Sequence, residues 1–228
     1  MRKVSIIVAL GLAACATAPR APAVTAPAAG PARPAATPQA EAHWDALPLL
    51  GPMEVALARQ KLADEPEAAG QLVAAMPGVC GVTDPEKREA ALDGAWQRVS
   101  DGMRAAAATP RWRITLTTEL GGYDVPHAAF PTGLTEAAGP SFGRSDYCWQ
   151  AIELAVQLQN AHDFAELPVT PERARAFVRG NLRRVVQQDL EVEVVGARPG
   201  PPRALLVRIL RLRLRDVVAG AVLADSGL

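Results

Sequence analysis

The sequence lacks the short motifs that mark the commonest catalytic and nucleotide-binding sites. It contains no His-Glu-x-x-His zinc motif, no phosphate-binding P-loop and no glycine fingerprint of a dinucleotide site. Histidine, the usual general base, occurs three times in 228 residues, and aromatic residues make up 4% of the chain. We therefore expect neither a cofactor nor a metal ion, and a non-enzymatic protein is the leading interpretation.

Positive and negative charges are balanced over the whole chain but not along it. The chain has 24 basic and 24 acidic residues, which argues against a nucleic acid as partner. Residues 41–110 contain 6 basic and 11 acidic side chains, whereas residues 171–215 contain 11 arginines and 4 acidic side chains. The arginines either bind an anionic ligand or are neutralised by acidic neighbours within the fold, and the second interpretation is favoured.

The chain begins with an apolar run that has the parts of a secretory signal. Arg2 and Lys3 precede the uncharged stretch 4–14, which is shorter than the ~20 apolar residues that span a bilayer. The run ends in Leu12-Ala13-Ala14-Cys15, which resembles the lipobox of bacterial lipoproteins. The resemblance implies that residues 1–14 are a signal peptide, removed once Cys15 carries a diacylglyceryl group, and that the new amino terminus is then acylated. An ordinary signal peptide is the alternative.

A lipid on Cys15 makes the membrane the first expected partner, with an envelope protein as a further one. Two or more acyl chains hold a protein stably in a membrane, whereas a protein with a single chain leaves the membrane reversibly. In enteric bacteria, an aspartate directly after the lipid-bearing cysteine resembles a signal for retention in the inner membrane. Here that position holds Ala16. We therefore expect a lipid-anchored protein of the cell outer membrane that faces the periplasm.

A segment rich in proline and alanine follows the lipobox. Residues 15–40 include six prolines, which remove amide donors and favour an extended chain without a core. The segment is predicted to be a semi-stiff tether between the membrane and the folded part.

Two cysteines remain if Cys15 carries lipid. Cys80 and Cys148 form an even pair in an oxidising compartment, which favours a disulfide. Two buried thiols are the alternative.

Helix signals dominate residues 41–110. Apolar spacing predicts helices over about 53–63 and 68–75, and Asp84-Pro85-Glu86 is a typical helix start. After it, apolar residues recur every three or four positions and predict one buried stripe that includes Ala95, Trp96 and Val99.

Residues 111–228 alternate with the period of β-strands. Strands are predicted over 111–120 and 148–159, with a short helix from Pro171. Two long alternating runs then predict an antiparallel hairpin whose exposed face pairs acidic residues with arginines, with a bulge near Ile209 and a last short strand over 221–224.

Together these patterns predict an α+β fold. A helical N-terminal portion, residues 41–110, precedes a mainly antiparallel, sandwich-like β domain, residues 111–228, with one inserted short helix.

Two groups of residues are candidates for a site. Asp124, His127 and His162 are weak catalytic candidates, because each histidine has an acidic residue close by in sequence. The loop after the first strand gathers aromatic residues, and it either binds a ligand or closes one end of the fold. Its ligand-binding candidates are Tyr123, Phe130, Phe142 and Tyr147.

The expected function is that of a membrane-anchored envelope lipoprotein, a binding or accessory component rather than an enzyme. The alternative is a periplasmic hydrolase that uses the loop with Asp124 and His127.

Overall fold

The computed structural model describes residues 38–63, 66–76, 78–136, 155–199 and 204–227, which belong to one compact unit, Ala35–Leu228. The predicted lipobox and most of the predicted tether lie outside the described residues. So do Phe142, Tyr147 and Cys148. Cys80 lies in the turn after the third helix, where its N–H donates to the Met76 carbonyl at 3.2 Å, and its pairing with Cys148 stays a prediction.

The described part confirms the α+β prediction. Its α-helices are α1 Pro38–Ala46, α2 Pro52–Ala63, α3 Pro66–Ala75, α4 Pro85–Ala108 and α5 Pro171–Gly180. Its strands are β1 Trp112–Glu119, β2 Ala129–Pro131, β3 Ala155–Leu158, β4 Glu166–Pro168, β5 Val185–Arg198, β6 Ala204–Asp216 and β7 Val222–Gly227. None of the helices within the described ranges combines the length and apolar character needed to cross a membrane.

Helix α4 begins where its capping signal predicts. The Asp84 side chain accepts a hydrogen bond from the Lys87 N–H at 3.1 Å, and Pro85 occupies the first helical position. Ala95 and Val99 are fully buried as predicted, but the prediction for Trp96 is wrong, because its side chain is 46% exposed. The buried stripe consists of Ala95, Val99 and Ala106. Consecutive residues of a helix are about 100° apart around its axis, which places Trp96 beside this stripe and not within it.

The main sheet is built on the predicted hairpin. Strand β5 lies between β1 and β6, and both pairs are antiparallel. The far edge of β6 is shared, since β3 pairs with its first half in parallel and β7 pairs with its second half in antiparallel. Strands β2 and β4 form a separate two-stranded sheet.

The predicted bulge near Ile209 is confirmed. Glu191 pairs with Arg211 while Val192 pairs with Ile209, so Leu210 is the extra residue on β6. Because of this insertion, Ile209 and Leu212 lie on the same face of the sheet.

Apolar side chains from the helices and from one face of the sheet form one cluster. It joins residues of α2, α4 and α5 to residues of β1, β5 and β6, so the helical portion and the sheet share a core. The fully buried members include Leu50, Val55, Val99, Ile114, Leu190, Ile209, Leu212 and Leu214.

Helix α1 was not predicted. It begins at Pro38, inside the last residues of the predicted tether, and ends at Ala46. Proline fits the first position of a helix, where no amide donor is needed. The helix is short and weakly amphipathic in sequence, and what holds it is the sheet beneath it.

Candidate functional site

The sheet face opposite the core carries charged side chains from four strands. We call it the charged face. The register places Asp189 opposite Arg213, Glu191 opposite Arg211 and Glu193 opposite Arg208, as the hairpin prediction required. The face was predicted to be exposed, and this is wrong for its centre, since Asp189 is 0% and Arg213 2% exposed. Helix α1 covers it.

The centre of the charged face is a buried ion pair. Arg213 donates from Nε and Nη2 to Oδ2 of Asp189, at 3.0 and 2.6 Å. Asp189 Oδ1 accepts from the Thr115 hydroxyl and from Gln187, each at 2.9 Å. Burial by itself raises the pKa of Asp189, but the hydrogen bonds from Arg213, Gln187 and Thr115 outweigh it, and the pKa lies below its ordinary value.

Helix α1 binds this centre through Glu41. Its Oε2 accepts from Arg213 at 2.9 Å and from Arg215 at 2.7 Å. Partial burial raises the pKa of Glu41, but the hydrogen bonds and charges of the two arginines outweigh it, and the net shift is downward. One carboxylate of α1 therefore bridges two arginines of β6.

Trp44 is the apolar part of the same contact. Its side chain is 0% exposed, and the guanidinium groups of Arg213 and Arg211 lie 4.8 and 5.7 Å from its ring centroid. Both distances are within the range of cation–π attraction, which strengthens where the cation is desolvated. Its indole N–H donates to Asp225 of β7 at 3.3 Å.

Glu191 is held from two sides. His43 of α1 and Arg111, just before β1, each approach one of its carboxylate oxygens at 2.9 Å. Arg211, its cross-strand neighbour, instead forms two hydrogen bonds with Asp225, at 2.6 and 3.0 Å. The arginines of β6 are thus neutralised within the fold, which agrees with the interpretation favoured from the sequence over an anionic ligand at these positions.

Asp124 and His127 meet as the sequence suggested. Asp124 accepts the His127 backbone N–H at 3.2 Å, and its other oxygen lies 2.9 Å from Nδ1 of the ring. The backbone hydrogen bond is the main cause of a lowered pKa at Asp124, and the side-chain hydrogen bond is the main cause of a raised pKa at His127.

Glu166 completes a group of three donors that sequence reasoning missed. Its carboxylate lies 3.9 Å from the same Nδ1 atom, because β4 pairs with β2 next to the Asp124 turn. Within the described residues, Asp124, His127 and Glu166 are the group whose ligand atoms lie close enough to hold a metal ion, all within 4.8 Å of one another. Oxygen and imidazole donors suit a first-row divalent cation such as Zn²⁺. Glu166 comes 39 residues after His127 in the sequence, so no local pattern predicted this contact.

His162 has similar neighbours in a different arrangement. Glu136 lies 2.7 Å from its Nδ1 and Asp163 lies 2.9 Å from its Nε2, so the two carboxylates approach opposite sides of the ring. The hydrogen bond that the His162 ring donates to Glu136, followed by the charge of Asp163, raises the pKa of His162. Because the ring separates its acidic neighbours, this group does not converge on one cation position.

The aromatic loop candidates that the structure describes pack inside the fold. Phe130 is fully buried, with ring centroids 5.0 Å from Tyr123 and 5.6 Å from Phe177 of α5, both edge to face. The Tyr123 hydroxyl donates to the Val169 carbonyl at 2.8 Å. These two residues therefore agree with the interpretation that the loop closes one end of the fold.

Comparison with known proteins adds no relative. No protein-family model matches the chain, and no curated protein or solved structure is significantly similar to it.

Proposed function

We propose that this protein is a lipid-anchored component of the cell envelope, a binding or accessory protein that faces the periplasm. The anchor rests on the sequence of Leu12-Ala13-Ala14-Cys15. The structural observation that supports it most is the docking of α1, since the chain that emerges from the tether is bound at once to the sheet by Glu41, His43 and Trp44. The folded part is thus attached to its tether at a fixed position.

Replacement of Cys15 tests the anchor. A Cys15→Ser protein, expressed in a bacterial host with the lipoprotein pathway, is expected to lose its acyl chains and its partition into the membrane fraction, because serine has no thiol to accept the diacylglyceryl group. Intact mass and fractionation measure both. Cys80→Ser is the matched control and keeps the lipid. Acyl chains on the Cys15→Ser protein would contradict the proposal.

Hydrolysis is a second candidate, favoured by the Asp124–His127 contact. A carboxylate that holds Nδ1 of a histidine leaves Nε2 to act as general base, which is the arrangement found beside catalytic serines. The sequence also has Ser141 at the centre of Gly139-Pro140-Ser141-Phe142-Gly143, which fits the Gly-x-Ser-x-Gly pattern of hydrolase nucleophiles. Ser141 lies outside the described residues. The pattern alone is weak support, because such a serine normally follows a strand and opens a helix.

Two pairs of variants test this candidate. If the loop is catalytic, His127→Ala and Ser141→Ala should each abolish hydrolysis of chromogenic ester substrates, because a base or a nucleophile is removed. His162→Ala and Ser145→Ala are the matched controls and should keep the rate. Assays with and without Zn²⁺ distinguish a reaction that requires a cation from one that does not. Equal rates for all four variants would eliminate a hydrolase that uses Asp124 and His127.

A further inference from the structure

Two turns meet at the end of the sheet where β5 begins and β6 ends. We call residues 181–184 and 217–220 the tip. The buried carboxylate of Asp216 joins them, since its Oδ1 accepts from the Asn181 side chain and from the Val218 N–H, both at 2.9 Å. Gly220 closes the second turn with a φ of 65°, a conformation that glycine adopts without strain. The tip is therefore built on buried hydrogen bonds.

This rigid tip displays apolar side chains to solvent. Leu182 is 81% exposed, Val218 67% and Val217 46%. Single exposed apolar residues are ordinary, but here three come from two turns that the same carboxylate holds together.

Arginines lie close to Leu182 in the sequence. Arg179 lies in the last turn of α5, and Arg183 and Arg184 follow Leu182 directly in the sequence. Glu119 lies 3.8 Å from Arg184. The tip and the last turn of α5 thus carry three arginines, against the acidic residues Glu119 and the buried Asp216. Exposed apolar side chains beside arginines suit the interface of a bilayer with anionic lipids, because the negatively charged headgroups attract basic residues.

The path of α1 brings the tether to the same end. Glu41, near the start of α1, contacts Arg213 and Arg215, whereas Trp44, one turn later, contacts Arg213 and Arg211. Helix α1 therefore runs antiparallel to β6. Its first residues lie over the C-terminal end of β6, which leads into the tip. The described chain therefore begins at that end of the sheet.

We infer that the tip lies on the surface of the membrane that holds the Cys15 lipid, with Leu182, Val217 and Val218 in the interface of its anionic phospholipids. This inference rests on the proposed lipid anchor and adds an orientation to it. The lipid and the tip then form two contacts with one membrane, so that the opposite end of the sheet, with Val195, faces the periplasm.

Tryptophan placed at the tip reports its surroundings. We would reconstitute the acylated, full-length Val218→Trp protein into vesicles of phosphatidylethanolamine and phosphatidylglycerol, with and without brominated acyl chains. Val195→Trp is the matched control, because Val195 is a 50% exposed valine near the other end of β5. Emission of the unsubstituted protein is subtracted from both. We expect a blue shift and loss of intensity with brominated lipid for Val218→Trp and neither for Val195→Trp.

The outcomes separate the tip from the anchor. Equal quenching of the two variants, on protein whose Cys15 lipid is verified by intact mass, would overturn the orientation and leave the anchor standing. Protein without acyl chains on Cys15 would overturn the anchor and the inference with it. Loss of the Val218→Trp signal in vesicles of phosphatidylcholine alone would support the role assigned to the arginines, whereas a signal in neither vesicle would overturn membrane contact at the tip.

Discussion

Replacing Asp189 with alanine is expected to lower the free energy of unfolding by about 3–5 kcal/mol, the range for removing one partner of a buried ion pair. The substitution leaves the guanidinium of Arg213 buried beside an empty position, since Asp189 accepts two of its hydrogen bonds. Glu41 still accepts a third hydrogen bond at 2.9 Å, which places the expected value near the lower end of the range. Urea denaturation followed by circular dichroism measures the change.

Glu193→Ala is the matched control on the same strand. Glu193 pairs with Arg208, whose side chain is largely exposed, so its loss should cost less than about 1 kcal/mol. Equal destabilisation by the two substitutions would show that the buried pair has no special part in stability.

The contribution of Asp189 should also depend on pH in a defined direction. Its pKa in the folded protein lies below its ordinary value, so the unfolded chain takes up the proton first as the pH falls. The stabilisation is present above the unfolded-state pKa and is lost as the pH falls through the folded-state pKa. The stability difference between the unsubstituted protein and Asp189→Ala should therefore narrow in acid and stay constant near neutrality.

Replacing Trp44 with alanine is expected to cost about 3–5 kcal/mol, the usual penalty for truncating a buried tryptophan. The ring is fully buried, and its loss removes the cation–π contacts with Arg211 and Arg213 and the hydrogen bond to Asp225. We expect α1 to detach first, which would admit water to the Asp189–Arg213 pair. Hydrogen exchange of the α1 amides measures the detachment, and denaturation measures the total effect.

Trp96 provides the control for Trp44. It is an exposed tryptophan on α4, and Trp96→Ala should change stability by less than about 0.5 kcal/mol, as is usual for surface substitutions. If Trp44→Ala were equally mild, with unchanged exchange of the α1 amides, then α1 would not be held by this ring.

The sheet was predictable because its signals are local. The alternation in residues 185–216 predicted the hairpin, the pairing of acids with arginines and the bulge, and these follow from the two-residue period of a strand. The start of α4 was predictable from Asp84 and Pro85, whose capping chemistry needs no distant partner.

The features that could not be predicted from the sequence depend on contacts between distant segments. Glu41 reaches arginines more than 170 residues away, and nothing near it in sequence marks α1 as a cover for the sheet. A strand face with alternating charges is normally solvated, so the pattern alone predicts exposure. The approach of Glu166 to His127 is likewise invisible until the two short strands pair.

The extra residue Leu210 shifts the alternation of inward and outward side chains in β6 by one position. Before it, Leu205, Val207 and Ile209 point to the core, and after it Leu212 and Leu214 do so, although the two sets occupy positions of opposite parity. If Leu210 instead paired as a regular residue of the ladder, the alternation continued from Ile209 would turn Arg211 and Arg213 toward the apolar core. The bulge therefore decides which side chains of β6 face the core beyond Ile209, because straightening the strand at unchanged length would exchange its two faces there.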